Sequence, residues 1–350
     1  MGITNFEIEI IKWIQQFSGK ELIDKAFIYI SYLGEAYLFI VVAVMIYWLF
    51  EKKWAYQFIT AFLASTVVVS VMKVLIKRPR PYQASSEVKS IGKPAHEAYG
   101  EQSYAFPSGH SQAAAAISTG VVKKTKNWFV WILMILNIIL VPFSRLYLGQ
   151  HYLTDVLAGI TIGVMSVLIV YGLFKYIKHE EFVGLILAPI IVAGVYFLVQ
   201  QKMYNKEMFQ AAGAFLAFSI GYFIEKRFIK YNPREDAWWK QLLKLVIGLA
   251  VMFGLQQGLK YVLPYEAVSE GAPIPLMNFV WDGVRYFILG IWATLGAMGL
   301  FKLMFRKKKE ASRQKAIYQE ELKWVYLIKQ KNSQSWTKPK NKVFIRIFMS

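Results

Sequence analysis

Long apolar runs alternate with short charged stretches along almost the whole chain. About nine of these runs approach the roughly 20 residues that a helix needs to cross a bilayer. They are 26–50, 54–76, 108–122, 128–143, 154–176, 182–200, 209–225, 241–262 and 281–305. The pattern predicts an all-α integral membrane protein built as a multi-span helical bundle. The third run is short and rich in alanine, which would let neighbouring helices approach closely.

The beginning of the chain follows a different pattern. Apolar side chains, among them Ile8, Ile11, Trp13 and Ile14, recur between polar ones over the first 20 residues. This spacing is typical of an amphipathic helix that lies on a membrane surface, and it differs from a cleavable signal peptide. We therefore expect an interfacial helix within residues 1–25.

Composition supports a membrane protein and excludes several kinds of site. Of the 350 residues, 56% are hydrophobic and 16% are aromatic, which exceeds the apolar content of ordinary soluble domains. The chain contains no cysteine, so disulfides and thiolate metal sites are excluded. The formal net charge is +19. Because nucleic-acid-binding proteins are also strongly basic, nucleic acid is considered as a partner. Because the charge lies in the tail and in short clusters between apolar runs, contact with anionic membrane lipids is favoured and no nucleic-acid partner is expected.

The basic clusters predict an orientation in the membrane. By helix parity, the clusters at 51–53, 123–126, 175–178, 225–234 and 306–309 all fall on one side, which we assign as cytoplasmic. The basic tail, 306–350, would lie there too. Lys77, Arg78 and Arg80 fall on the opposite, extracytoplasmic side, where a basic group is usually placed for a ligand. For Lys77 and Arg78 two interpretations are equally open: they help phosphate to enter the site, or they are surface charges with no specific role.

Two further polar segments fall on that extracytoplasmic side. Pro107 and Ser108 immediately precede the third run, which is an ordinary helix start, but with His110 they also predict a site where backbone amides bind an anion. His151 and Asp155 are four residues apart, so on one helix the carboxylate could hold one ring nitrogen. Arg145 precedes them, and an oriented imidazole beside an arginine suits nucleophilic attack on an anionic centre.

Together these residues resemble a known three-part signature. Lys73-x6-Arg80-Pro81, Pro107-Ser108-Gly109-His110 and Ser144-Arg145-x5-His151-x3-Asp155 are similar to the motifs of the type 2 phosphatidic acid phosphatases. That superfamily includes bacterial phosphatidylglycerophosphatase B, undecaprenyl-diphosphate phosphatases, glucose-6-phosphatase and the vanadium haloperoxidases. The resemblance covers about residues 26–176.

The resemblance implies a fold, a mechanism and a site. It implies a five-helix phosphatase core in which His151 attacks phosphorus, Asp155 fixes its tautomer, and His110 protonates the leaving oxygen and then activates water. It implies that no metal and no cofactor is needed, because cations hold the phosphate. The phosphate-binding residues would be Lys73, Arg80, Ser108, Gly109 and Arg145.

The implied function is hydrolysis of a lipid phosphate or diphosphate at the extracytoplasmic face of the cell membrane. Phosphatidate, phosphatidylglycerol phosphate and undecaprenyl diphosphate all fit as substrates. One alternative is a non-catalytic lipid-phosphate transporter or flippase that uses the same cationic pocket, although binding alone would not need His151 and His110. A vanadate-dependent peroxidase is a further alternative, which the membrane spans disfavour.

The remaining chain has no recognisable catalytic set. We expect a catalytic core over 26–181 and an accessory bundle of about four transmembrane helices over 182–305. The accessory helices could widen a lipid groove, form a homodimer or handle the lipid product. Four charged residues there could gate the site or simply be solvated, and the solvated interpretation is favoured; they are Glu266, Glu270, Asp282 and Arg285.

Overall fold

The computed structural model describes residues 3–92, 104–235, 237–269, 273–305, 318–320 and 322–323. Every element with assigned bounds in those residues is a helix. The helices are α1 Ile3–Gln15, α2 Glu21–Tyr32, α3 Ala36–Met45, α4 Lys52–Ile76, α5 Pro81–Ala84, α6 Gly109–Val122, α7 Trp128–Tyr147, α8 Leu153–Leu173, α9 Glu181–Gln200, α10 Lys206–Ile224, α11 Trp238–Val262, α12 Leu276–Ile291 and α13 Ala297–Met304. Wider π turns extend α3, α10 and α12 at Ile46–Phe50, Glu225–Ile229 and Trp292–Gly296.

The all-α membrane fold is confirmed, but the spans are fewer than predicted. Within the described residues, seven helices are long and apolar enough to cross a membrane, and an eighth span is counted if the bent pair of α2 and α3 is one. That pair bends by 47°, so the run predicted over 26–50 is broken. Helix α6, the predicted third span, has only 14 residues and is too short to be counted.

Helix α6 nevertheless lies at the centre of the first half, where it packs against α3, α4, α7 and α8. Its alanines, Ala113–Ala116, are all buried. Gly159 of α8 lies so close to α6 that a Cβ added there would be 2.4 Å from the carbonyl oxygen of Ser108. The close approach predicted from the small residues is thus present, and it brings the starts of α6 and α8 together.

The accessory helices join the first half through α10. This helix packs most extensively against α12, and it also contacts α9 and α4. Residues 1–302 form one compact unit that contains both predicted regions, and residues 303–350 form a second unit. The predicted boundary between core and accessory bundle at 181 stays a prediction.

Two charged accessory residues that were predicted to be solvated are buried. Asp282 and Arg285 are each 5% exposed on α12, where Arg285 donates to the Asp282 carboxylate. The helix begins at Leu276, five residues before the predicted start of the span, so both residues lie beyond its first turn rather than at its exposed start. Glu266 is exposed as expected, while Glu270 lies outside the described residues.

Four of the five predicted basic clusters belong to segments that meet at one end of the bundle. Ion pairs join Glu51 and the start of α4 to the end of α10 and to the segments just before α7, α9 and α11. The pairs are Lys52–Glu225, Lys53–Glu180, Lys124–Glu51 and Arg234–Glu51, with N···O distances of 2.8, 3.6, 3.5 and 3.2 Å. The fifth cluster, 306–309, lies outside the described residues. The signature residues lie at the opposite end.

Candidate active site

The three signature segments converge where α4 and α7 end and where α6 and α8 begin. A backbone hydrogen bond joins the second segment to the third: the Ser108 amide donates to the Asp155 carbonyl at 3.0 Å. The Lys73 ammonium approaches the start of α6, at 3.9 Å from the position that a Cβ on Gly109 would occupy. The amide of His151 donates to the carbonyl of Arg145 at 3.3 Å.

His151 is buried at the centre of this arrangement, with 2% exposure. Its Nδ1 lies 2.8 Å from the carbonyl oxygen of Ala105. Because a carbonyl only accepts, Nδ1 carries the proton and Nε2 holds a lone pair. Arg80 lies 3.3 Å from that Nε2 and donates to it. Burial, and then the positive charges of Arg80 and Arg145, lower the pKa of His151 well below its usual value, which favours the neutral imidazole.

Asp155 lies beside His151 without a direct hydrogen bond to it, and its predicted role in fixing the tautomer stays a prediction. Its Oδ2 is 3.6 Å from Nδ1, and that oxygen instead accepts from the Tyr152 amide at 2.8 Å. The reason is that α8 begins only at Leu153, so His151 precedes the helix and the four-residue spacing does not place both side chains on one helical face. In this structure the carbonyl of Ala105 accepts the hydrogen bond from Nδ1 of His151.

The second carboxylate oxygen of Asp155 accepts from Arg78 at 2.7 Å. Arg78 also pairs with Glu7 at 2.5 Å and stacks over the Tyr152 ring at 3.7 Å. The sequence left two roles open for Arg78, help with phosphate entry or a nonspecific surface charge. In the structure it connects α1 and the end of α4 to the start of α8. Glu7 was not identified from the sequence, yet its position was readable: a carboxylate on the same helical face as Ile11 would be buried with it.

His110 has a carboxylate partner that the sequence also did not reveal. Its Nε2 is 3.1 Å from Oε1 of Glu35. Glu35 immediately precedes α3, at the bend between α2 and α3. A single continuous span over 26–50 would have placed this carboxylate within a helix, so the error in the predicted fold concealed the contact.

Ser108 serves as the N-cap of α6 and is fully buried. Its Oγ accepts from the Ser111 hydroxyl at 2.9 Å, and the Ser111 amide donates to the same oxygen. The hydroxyl proton of Ser108 remains available, so the structural role of a cap and a role in anion binding are compatible. With the amide of Gly109, it forms the positive end of α6, which favours an anion.

Two of the predicted cations are anchored by residues outside the three segments. Arg145 donates to Ser31 of α2 at 2.5 Å. Lys73 is paired with Glu207 of the accessory helix α10, at 2.8 and 3.1 Å to the two carboxylate oxygens. Both cations are only 7% exposed. Cations in so little water interact strongly with a bound anion, and a neutral imidazole lies beside them.

Comparison with known proteins matches these segments to a family. Residues 54–178 match the PAP2 superfamily, and residues 209–309 match the transmembrane extension of PAP2 superfamily phosphatases. An undecaprenyl-diphosphatase of Sulfolobus acidocaldarius is 28% identical over 45% of this chain and 73% of the relative. The undecaprenyl-diphosphatase BcrC of Bacillus subtilis is 30% identical over 45% of this chain and 78% of the relative.

Among solved structures, a PAP2-type phosphatidylglycerolphosphate phosphatase from Bacillus subtilis is 26% identical, with a TM-score of 0.41. The match covers 50% of this chain and 88% of that one. The family matches span the three segments that converge in the site as well as most of the accessory helices, and this agrees with the resemblance found in the sequence. The chain therefore belongs to the PAP2 superfamily of membrane phosphatases.

Proposed function

We propose that the protein hydrolyses a lipid phosphate or diphosphate through a phosphohistidine intermediate. The observation that carries this proposal is the state of His151: a buried neutral imidazole, with its proton held on Nδ1 by Ala105 and its Nε2 beside Arg80. If His151 were needed only to bind an anion, its protonated, positively charged form would bind more strongly than the neutral imidazole. A lone pair held among cations suits attack on an electron-poor phosphorus that those cations neutralise.

In the first step the phosphate binds between the cations and the start of α6. Lys73, Arg80 and Arg145 supply positive charge, while the hydroxyl of Ser108 and the amide of Gly109 supply neutral donors. Charge spreads over the non-bridging oxygens in the transition state of phosphoryl transfer, so donors placed in advance stabilise it. Cations in this position supply the charge that a metal ion supplies elsewhere, and the proposal therefore includes no metal and no cofactor.

The chemical steps divide between the two histidines. Nε2 of His151 forms a bond to phosphorus while the bond to the leaving oxygen breaks, and His110 gives that oxygen a proton. His110 then takes a proton from water, whose oxygen attacks phosphorus as the bond to Nε2 breaks. Inorganic phosphate leaves, and both histidines regain their starting states. Glu35, within hydrogen-bond distance of His110, would stabilise its protonated form.

A lipid substrate is supported by the place of the site at one end of a bundle of membrane-spanning helices. The two relatives named above act on undecaprenyl diphosphate, by their names. Phosphatidate and phosphatidylglycerol phosphate offer the same phosphoryl chemistry. A lipid tail could stay in the bilayer while its phosphate enters between the ends of α4, α6 and α8.

The site would face the extracytoplasmic side of the cell membrane, because the basic clusters meet at the opposite end. The absence of cysteine allows a direct test. We expect a single cysteine at Glu87 to react with an impermeant maleimide on intact cells, and one at Tyr176, near the opposite end, to react only after lysis. Both positions are exposed. The reverse labelling pattern would invert the proposed orientation.

The central experiment measures phosphate release by purified protein in detergent. The panel contains phosphatidate, phosphatidylglycerol phosphate, undecaprenyl diphosphate and glucose-6-phosphate, each with and without EDTA. We expect His151→Ala to abolish release and EDTA to leave it unchanged. The matched control is His179→Ala, since the His179 side chain is 61% exposed and belongs to no signature segment. Retained turnover in His151→Ala would remove the proposed nucleophile.

A transporter or flippase that uses the same pocket is the competing interpretation. It predicts lipid binding without phosphate release by the wild-type protein. Acid-labile phosphate trapped on His151 during turnover would decide for the enzyme.

A further inference from the structure

The accessory bundle places one acidic side chain at the proposed phosphate site. Glu207 lies in the first turn of α10, and its two carboxylate oxygens are 3.1 and 2.8 Å from the Lys73 ammonium. Its carboxylate also interacts electrostatically with Arg80. A carboxylate is an unexpected neighbour in a site that must attract an anion, because it opposes the binding that the cations favour.

The neighbouring cation of α10 does not neutralise this carboxylate. Lys206 is paired with Asp282 of α12, at 3.8 Å, and Asp282 is paired in turn with Arg285. The two charged residues at the start of α10 therefore point to different partners: Lys206 to the accessory bundle and Glu207 to the catalytic core. Glu207 lowers the positive charge of the proposed phosphate site, called the cradle below, whose cations are Lys73, Arg80 and Arg145.

The pairing does not prevent Lys73 from binding phosphate. An ammonium has three donors, and the two oxygens of Glu207 use at most two of them. A phosphate oxygen on the remaining donor would lie roughly 5 Å from the carboxylate. At that distance the repulsion between Glu207 and a bound anion is substantial, and it increases with the charge of the anion.

We propose that Glu207 makes the site selective for a lipid monophosphate over a lipid diphosphate. This inference rests on the proposed function, whose substrate class it narrows. With one carboxylate against Lys73, the cradle carries less positive charge than its three cations alone would supply, which suits a phosphate monoester. A diphosphate brings a second phosphoryl group and more negative charge, so Glu207 repels it more strongly.

The experiment compares kcat/KM for phosphatidate and undecaprenyl diphosphate in the wild type and three variants. Glu207→Gln removes the charge and keeps the shape, Glu207→Asp keeps the charge, and Glu87→Gln removes an exposed carboxylate elsewhere. We expect Glu207→Gln to raise the ratio of diphosphate to monophosphate kcat/KM by about tenfold. Glu207→Asp and Glu87→Gln should leave that ratio near the wild-type value.

The outcomes separate selectivity from a structural role. An unchanged ratio would overturn the proposal. If both kcat/KM values change by the same factor, Glu207 only anchors Lys73. If Glu207→Gln does not yield folded protein, Glu207→Ser supplies the neutral variant, and the same shift in ratio is required of it.

A binding measurement keeps this inference distinct from the proposed function. Calorimetry gives the ratio of the affinities for pyrophosphate and inorganic phosphate, with no need for turnover. If the wild type releases phosphate from no lipid, the proposed function fails, but Glu207→Gln must still shift this affinity ratio toward pyrophosphate. If turnover is observed and neither ratio shifts, only the selectivity proposal fails. Binding of neither anion, together with no phosphate release from any lipid, would overturn both.

Discussion

The catalytic core and the accessory bundle both bury charged residues, but they use them differently. In the core, the charged groups converge on one place, where His151, Arg80 and the start of α6 meet. In the accessory bundle, Asp282 and Arg285 pair with each other on one helix. A buried pair of this kind preserves structure, whereas cations gathered around a neutral imidazole leave capacity for a ligand. Buried charge alone therefore does not indicate a site.

The two regions are more alike in how their helices pack. Helix α8 approaches α6 at Gly159, and α10 approaches α12 at Gly213, where an added Cβ would be 2.1 Å from the carbonyl oxygen of Gly283. Close contact through glycine is a general way for membrane helices to associate. What distinguishes the core is that its close contact lies beside Ser108, so its packing and its chemistry are coupled.

The largest expected effect comes from removing a cation in the core. Arg80→Gln should lower kcat/KM for phosphate release by roughly 10²–10³-fold, because a charged donor beside Nε2 of His151 is lost. Arg234→Gln is the matched control, since Arg234 is 62% exposed and lies among the ion pairs at the opposite end. Equal losses in both variants would show that the charge of the whole protein matters, rather than its position.

A pair of glycine variants tests the coupling of packing to chemistry. Gly159→Ala and Gly213→Ala both force a Cβ against backbone, so each should destabilise the protein by about 1–3 kcal/mol, read as a lower Tm. Only Gly159→Ala should also lower kcat, by about 10²-fold, because displacement of α6 moves Ser108 and Gly109 away from the phosphate. Comparable kcat losses in the two variants would erase the distinction between the regions.

Asp155→Asn should have a smaller effect, about tenfold in kcat. Nδ1 of His151 hydrogen-bonds to the Ala105 carbonyl, so we expect the imidazole to keep its orientation in this variant. What is lost is the ion pair with Arg78. Arg78→Gln should cost at least as much, because Arg78 also pairs with Glu7. The double variant should lose little more than Arg78→Gln alone, since the Asp155–Arg78 interaction is already absent there. A loss as large as that of His151→Ala would instead show that Asp155 acts on the imidazole directly.

Much of the fold was readable from the sequence, because hydrophobic run length and helix formation are local properties. Helices α4, α6 and α9 begin within two residues of their predicted starts and end where predicted. The errors arose where local pattern is insufficient. Apolarity continues through the bend at Glu35, so one span was predicted where two helices occur. Likewise, α12 begins five residues earlier than predicted, so Asp282 and Arg285 lie beyond its first turn and are buried there.

For the site, the signature residues were named but their partners were not. Lys73, Arg80, Ser108 and His151 could be identified because their spacing is a pattern along the chain. Glu207 lies more than 130 residues from Lys73, and no local pattern links them. The carbonyl of Ala105 is hidden for another reason: every residue has a backbone oxygen, so no residue type in the sequence marks the one that His151 contacts.

The smallest expected effect is on the protonation of His151, whose pKa burial and the charges of Arg80 and Arg145 lower well below its usual value. The chain has four histidines, so ¹⁵N-histidine NMR can resolve the ring, with His151→Ala for assignment. We expect the ring to stay neutral at a pH at which an exposed histidine is already protonated. As pH falls below about 6.5 the unfolded chain binds this proton first, so stability should decrease, by about 1.4 kcal/mol for each unit by which the pKa is lowered. A ring that titrates at its usual pH would show that the cations of the core do not act on the imidazole, and the contrast with the accessory bundle would lose its electrostatic basis.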